Sequence, residues 1–159
     1  ELMFNELDQE KPKEAADRAR KILENHKNTI QAAEAALLLA KFAVEDKQFD
    51  TAVNLLNMVK EQASLPSIQN IARIRLARVL NQQGQHDKAL AQLKDTQAGK
   101  LFGLFEEVKG DIYLAKGDLQ KAREAYTRSM EFEPASIRQP ILRMKIEDLA
   151  TRNQKSNES

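Results

Sequence analysis

The stretch GDIYLAKGDLQKAREAYTRSMEFEP, Gly110–Pro134, decides the fold. Two Gly-Asp pairs stand seven residues apart, at Gly110-Asp111 and Gly117-Asp118. Tyr113 follows the first pair, and Ala122 and Tyr126 follow the second. The spacing is that of a tetratricopeptide (TPR) helical hairpin. Gly110 is small where two helices cross, Gly117 ends the first helix, and Asp118 caps the second. Ala122 lets the backbones approach, Tyr126 fills the space between repeats, and Pro134 closes the unit.

The same pattern recurs upstream. Gly84 to Gly117, Leu80 to Tyr113, Ala89 to Ala122 and Leu93 to Tyr126 are each 33 residues, close to the TPR period. Ala15 to Ala52 and Ala52 to Ala89 are each 37. Each alanine falls on the second helix of a hairpin, followed four residues later by Ala19, Leu56, Leu93 or Tyr126. Four hairpins result, the first truncated, and a terminal helix covers the last. The predicted fold is all-α: a right-handed TPR-like helical-hairpin solenoid with a C-terminal capping helix.

In chain order, Glu1–Gln9 reads as the last turns of a helix, with Leu2, Met3, Phe4 and Leu7 at helical spacing. Helices are expected over about Lys13–Asn25, Ile30–Glu45, Asp50–Glu61, Ser67–Gln83, His86–Lys94, Leu101–Lys116 and Leu119–Glu131, with Asp95–Gly99 a loop. A last helix runs to about Ala150 on the stripe Leu142, Ile146, Leu149. Residues 1–150 are expected to form one repeat domain and 151–159 a polar, disordered tail.

Composition narrows the function. The 159 residues are 42% hydrophobic and 31% charged, with a net charge of +1, so no strong field for nucleic acid is present. The absence of cysteine excludes thiol catalysis and disulfides. No G-x-x-x-x-G-K-[ST] or G-x-G-x-x-G occurs to cradle a phosphate. His26 and His86 stand in or beside turns without ligand-spaced partners and read as exposed. Glu106, Glu107 and Asp111 read as a solvated helix face. No catalytic, metal or cofactor site is expected, and the chain reads as non-enzymatic. The longest apolar run, Ala35–Ala40, is far short of the ~20 residues of a membrane span. The chain starts abruptly, without Met, so a targeting segment or anchor is expected upstream.

Arg73, Arg75 and Arg78 cluster on one helix, the last two sharing a face. Two readings stand open. The arginines form a basic patch that holds carbonyls or acidic side chains of a peptide, or they pair with carboxylates of adjacent helices such as Glu34 or Glu45. In stacked hairpins the first helices line the concave face. The candidate protein-binding groove is therefore Leu37, Lys41, Arg75, Arg78, Asn81 and Leu104. A TPR carboxylate clamp needs Lys and Asn at set positions. Those positions hold Leu37, Lys41, Arg75, Leu104 and Val108, so capture of an EEVD-like tail is not expected.

ENHKNT (24–29), LAKFAVED (39–46), IRLARVLNQQGQHDKAL (74–90), KGDIYLAKGDLQKAREAY (109–126) and ILRMKIEDLA (141–150) occur in order. Over about Lys13–Ala150 the chain resembles the YfgM-like family, TPR-like ancillary subunits of the bacterial SecYEG translocon. The resemblance implies a domain on the periplasmic side of the inner membrane, held by a single N-terminal span missing from this chain. It implies partners in SecYEG, the periplasmic chaperone PpiD and exported clients, and no catalysis. The alternatives are a cytoplasmic TPR scaffold for another complex and, less favoured, a helical enzyme.

Overall fold

A computed structural model describes residues 12–132 and 137–157, all of whose regular elements are helical. The expected helix over Glu1–Gln9 and the closing Pro134 lie outside the described residues. The chain divides into two compact units, one ending at Val79 and the other starting at Leu80. Each is described by itself.

The first unit contains α1 (Pro12–Asn25), α2 (Ile30–Glu45), α3 (Phe49–Gln62) and all but the last turn of α4 (Pro66–Gln82). Pro12 and Pro66 each open a helix, where proline's missing N–H loses nothing. Thr29 caps α2: its Oγ1 accepts from the Ala32 N–H at 3.1 Å and donates to the His26 carbonyl at 2.7 Å. α2 packs on α1 and on α3. The contact surface is largely alanine: Ala15, Ala16 and Ala19 from α1, Ala32, Ala35, Ala36, Ala40 and Ala43 from α2, and Ala52 from α3 are all buried. Leu56 and Val59 fill what those small side chains leave.

The second unit runs from the end of α4 through α5 (His86–Ala91), a short helical turn α6 (Asp95–Ala98) and a 3-10 turn (Gly99–Leu101). Then come α7 (Phe102–Lys116), α8 (Leu119–Phe132) and α9 (Gln139–Asn157). α7 and α8 form the hairpin expected from their sequence. Gly117 ends α7 in the left-handed region at φ 81°, and Asp118 Oδ1 accepts from the Lys121 N–H at 3.1 Å. Gly110 lies flat against the ring of Tyr126, and a Cβ there would run into that ring. α9 closes the hairpin through Leu142 and Leu149, which join Ala122 and Tyr126 in one core, with Ile146 packed beside them.

The repeat register shows in the turns. Lys47, Gly84 and Gly117 adopt left-handed φ of 59°, 74° and 81°. Each next residue donates to the same relative carbonyl: Gln48 to Ala43 at 2.7 Å, Gln85 to Leu80 at 2.8 Å, Asp118 to Tyr113 at 2.9 Å. Four residues on, Ala52, Ala89 and Ala122 donate back to Gln48, Gln85 and Asp118 at 3.0–3.1 Å. These alanines, with Ala15, are buried, as are Leu56, Leu93 and Tyr126.

Three local expectations change. α5 stops at Ala91 rather than Lys94, and the expected loop over Asp95–Gly99 is mostly helical. The last helix continues to Asn157, past the expected end near Ala150 and through most of the stretch read as a disordered tail. Nothing helix-breaking stands between Ala150 and Asn157, so helical hydrogen bonding simply continues.

Candidate functional site

On α2 and α4 the sequence-predicted groove residues of the first unit have distinct settings. Leu37 is buried, and its carbonyl accepts from Arg75 Nη1 at 3.1 Å, a bond that ties α4 to α2. Lys41, one turn beyond Leu37, is exposed, with its Nζ 4.0 Å from Glu45 Oε1. At that distance and exposure the pair contributes little. Arg75 is half-buried and Arg78, one turn along the same face, is exposed. Burial first, and then the like charge of Arg78, pull Arg75's pKa below the usual arginine value.

Among the described residues, none of Arg73, Arg75 and Arg78 makes an ion pair. Pairing with Glu34 or Glu45 therefore does not occur: Glu45 lies beside Lys41 instead. Arg73 goes further, with a buried Nε that has no partner.

The remaining predicted groove residues lie in the second unit. Asn81 is half-buried, its Oδ1 2.7 Å from His86 Nδ1, so His86 is a part-buried brace of the α4–α5 turn rather than an exposed residue. Leu104 is half-buried and lines a small cleft of about 160 Å³ with Gly103, Ser129, Arg138 and Leu142.

The densest chemistry lies where α7, α8 and α9 meet. Glu106 and Glu107 are 0% and 2% exposed, which overturns the expectation of a solvated face. Glu106 accepts from Lys109 Nζ and from Arg128 Nε, each at 2.6 Å. Glu107 accepts a forked pair from Arg138 Nε and Nη2, both at 2.6 Å, and a third bond from Lys145 Nζ at 2.9 Å. Lys145 also donates to Asp111 Oδ1 at 2.7 Å, and the same oxygen accepts from the Tyr126 hydroxyl at 2.7 Å. The Lys145 ammonium lies 5.3 Å from the centre of the Tyr126 ring.

Burial pushes the Glu107 carboxyl up, but the bonds from Arg138 and Lys145 outweigh it and hold the carboxyl below its ordinary value. Burial, and then the bond to Asp111, push the Tyr126 phenol well above its own. Every carboxylate here is matched by a cation. The bonds of Arg138 and Lys145 to Glu107 and Asp111 fasten the capping helix, and those of Glu106 to Lys109 and Arg128 tie α7 to α8. The cations that meet Glu107, Arg138 and Lys145, stand 31 and 38 residues past it, so no local spacing could reveal that part of the cluster.

Two more features complete the surface. Ile141 and Met144 are exposed on α9, whose Leu142 and Leu149 are buried, and Ile137 is exposed in the turn just before it. Among the described residues, no group of three or more His, Asp and Glu is placed to hold a metal ion, and no helix is long and apolar enough to cross a membrane.

Antiparallel hairpins with repeated left-handed turns and buried alanine crossings define a TPR-like helical-repeat protein. A family model described as a tetratricopeptide repeat-like domain matches residues 1–151. A protein of Aggregatibacter actinomycetemcomitans named ancillary SecYEG translocon subunit is 31% identical over 141 residues, 89% of this chain and 69% of that protein. Proteins of the same name from Neisseria gonorrhoeae and Escherichia coli are 32% and 29% identical, over 81% and 83% of this chain. The chain belongs to the family of these TPR-like ancillary SecYEG translocon subunits. It spans 62% and 64% of the Neisseria and Escherichia proteins.

Proposed function

We propose that this chain is a non-enzymatic protein-binding module that works beside the SecYEG translocon during protein export. The observation that carries the proposal is the match of most of the chain to proteins named as translocon subunits. A helical-repeat scaffold suits that role, because stacked hairpins present side chains from successive first helices to a partner. In this reading the domain faces the periplasm and an N-terminal span holds the whole protein in the inner membrane. Its partners are SecYEG, a PpiD-like chaperone and exported clients. The contact residues are Leu37, Lys41, Arg75 and Arg78 in the first unit and Asn81 and Leu104 in the second. Leu37 supplies backbone and support rather than exposed area.

Site-specific photo-crosslinking tests this directly. A photoreactive residue at Lys41 or Arg78 of the full-length protein is expected to capture translocon or chaperone chains. One at Met144, on the exposed side of α9, serves as the contrast. Crosslinks from Met144 alone would move the interface to the terminal helix. Protease added to spheroplasts is expected to digest the domain; protection until the inner membrane is lysed would refute the periplasmic placement and favour a cytoplasmic scaffold.

A further inference from the structure

Ile68, Ile71, Arg75 and Arg78 recur along α4 at helical spacing and share one face of it. The two isoleucines and Arg75 are half-buried, and Arg78 is exposed. Arg75 has a single bond, from Nη1 to the Leu37 carbonyl, which holds the guanidinium against α2. A guanidinium has five donors, so most of this one remains open. Arg78, one turn on, has no hydrogen bond or ion pair among the described residues.

The contrast with the second unit is informative. There, each buried carboxylate is met by one or more cations: Glu106 by Lys109 and Arg128, Glu107 by Arg138 and Lys145. On α4 two like charges stand a turn apart with no anion between them. Such a pair repels, and a carboxylate held between the two forks relieves the repulsion while forming charge-assisted bonds. The isoleucines one and two turns away offer an apolar shelf beside it.

We propose that Arg75 and Arg78 form a receptor for side-chain carboxylates of an extended, acidic protein segment whose apolar residues rest on Ile68 and Ile71. This deepens the reading of the chain as a protein-binding module and rests on it. The bound group is a side-chain carboxylate, not a chain end, because the residue pattern that captures a terminal carboxylate is absent at Leu37, Leu104 and Val108. A protein carboxylate fits better than a phosphate polymer. The chain's net charge is only +1, and the patch is two arginines flanked by isoleucines rather than a run of cations.

The test uses the 159-residue chain and two fluorescein-labelled, C-terminally amidated peptides, one of alternating leucine and glutamate, the other of leucine and glutamine. Fluorescence polarisation is expected to show at least tenfold tighter binding of the glutamate peptide, weakening as salt rises. Arg78→Glu is expected to abolish that preference with an unchanged circular dichroism spectrum. Since Arg78 is exposed, this variant stays informative even if Arg75→Gln, which breaks the tie to Leu37, unfolds. Equal affinity for the two peptides, or an unaltered preference in folded Arg78→Glu, overturns the proposal. So does tighter binding of a single-stranded oligonucleotide or of phosphatidylglycerol vesicles than of the glutamate peptide. Capture of purified SecYEG by the unmodified full-length protein is measured alongside. Capture without peptide discrimination sinks the receptor alone, whereas no capture sinks the translocon reading.

Discussion

Gly110→Ala separates this packing from an ordinary helix by sign. In an exposed helix interior, alanine for glycine stabilises by about 1 kcal/mol. Here the added Cβ would be driven into the Tyr126 ring. That ring has no easy retreat. It is fully buried, its hydroxyl is held by Asp111 at 2.7 Å, and the Lys145 ammonium lies 5.3 Å from its centre. Overpacking of a filled core costs about 1–3 kcal/mol, and a pinned ring places this site at the upper end. Setting about 3 kcal/mol of overpacking against about 1 of helix propensity leaves a net loss of about 2 kcal/mol. For a unit of this size that lowers Tm by roughly 8–16 °C. Near-UV circular dichroism is the suitable probe, because both tyrosines, Tyr113 and Tyr126, lie in the second unit and Trp is absent. In a Tyr126→Leu background the penalty should vanish, and the cycle then measures the Gly110–Tyr126 coupling. A Gly110→Ala protein that melts at or above the parent would refute the close crossing and with it the hairpin geometry.

Further outcomes are expected from the core, the ion cluster and the turns. Ala122→Arg forces a long cation into a site that is 0% exposed and should destabilise by more than the about 1–3 kcal/mol of overpacking alone, as read by thermal melts. Glu107→Gln breaks the fork to Arg138; because Arg138 and Lys145 are 41% and 26% exposed and can rehydrate, the loss should be about 2–3 kcal/mol rather than the full value for a buried pair. The Glu107 carboxyl is held below its ordinary 4.5, so its contribution is complete above that pH and is lost as pH falls through the folded value; urea titrations of Glu107→Gln at falling pH should show a shallower acid loss than the parent. In the repeated turn, Lys47→Gly should raise stability by about 0.5–1 kcal/mol by removing a side chain from the left-handed region, while Gly117→Ala should lower it by about 1, both measured as urea midpoints.

What was legible in the sequence was whatever depends on residues near one another in the chain. Gly84, Gly117 and Asp118 announce helix ends through backbone rules that act within a turn, and Ala52, Ala89 and Ala122 announce crossings because only small residues tolerate them. Lys47 escaped notice for the converse reason. It occupies the same turn as Gly84 and Gly117 but carries a side chain that does not advertise a left-handed backbone. Glu106 and Glu107 looked like solvent-facing charges because, Lys109 apart, their neutralising partners Arg128, Arg138 and Lys145 lie beyond α7. For the arginines of α4, sequence placed Arg75 and Arg78 on one face. It could not decide between paired and unpaired charge, since that depends on how α2 presents the Leu37 carbonyl and where Glu45 goes.

The fastening of α9 has a consequence for how the chain is made. Glu107 precedes Arg138 by 31 residues and Lys145 by 38. At ribosomal speeds of about 5–20 residues per second the carboxylate emerges roughly 1.5–6 s before Arg138 and roughly 2–8 s before Lys145. Through that interval the flank of α7 that α9 will cover shows water the ionised Glu107 and Asp111 beside Tyr126, instead of an unbroken apolar strip. A hydrated, like-charged flank repels the same flank on a neighbouring nascent chain and gives chaperones little to hold. Desolvation of Glu107 is thus deferred to the docking of α9, when Arg138 and Lys145 arrive together with Leu142 and Leu149.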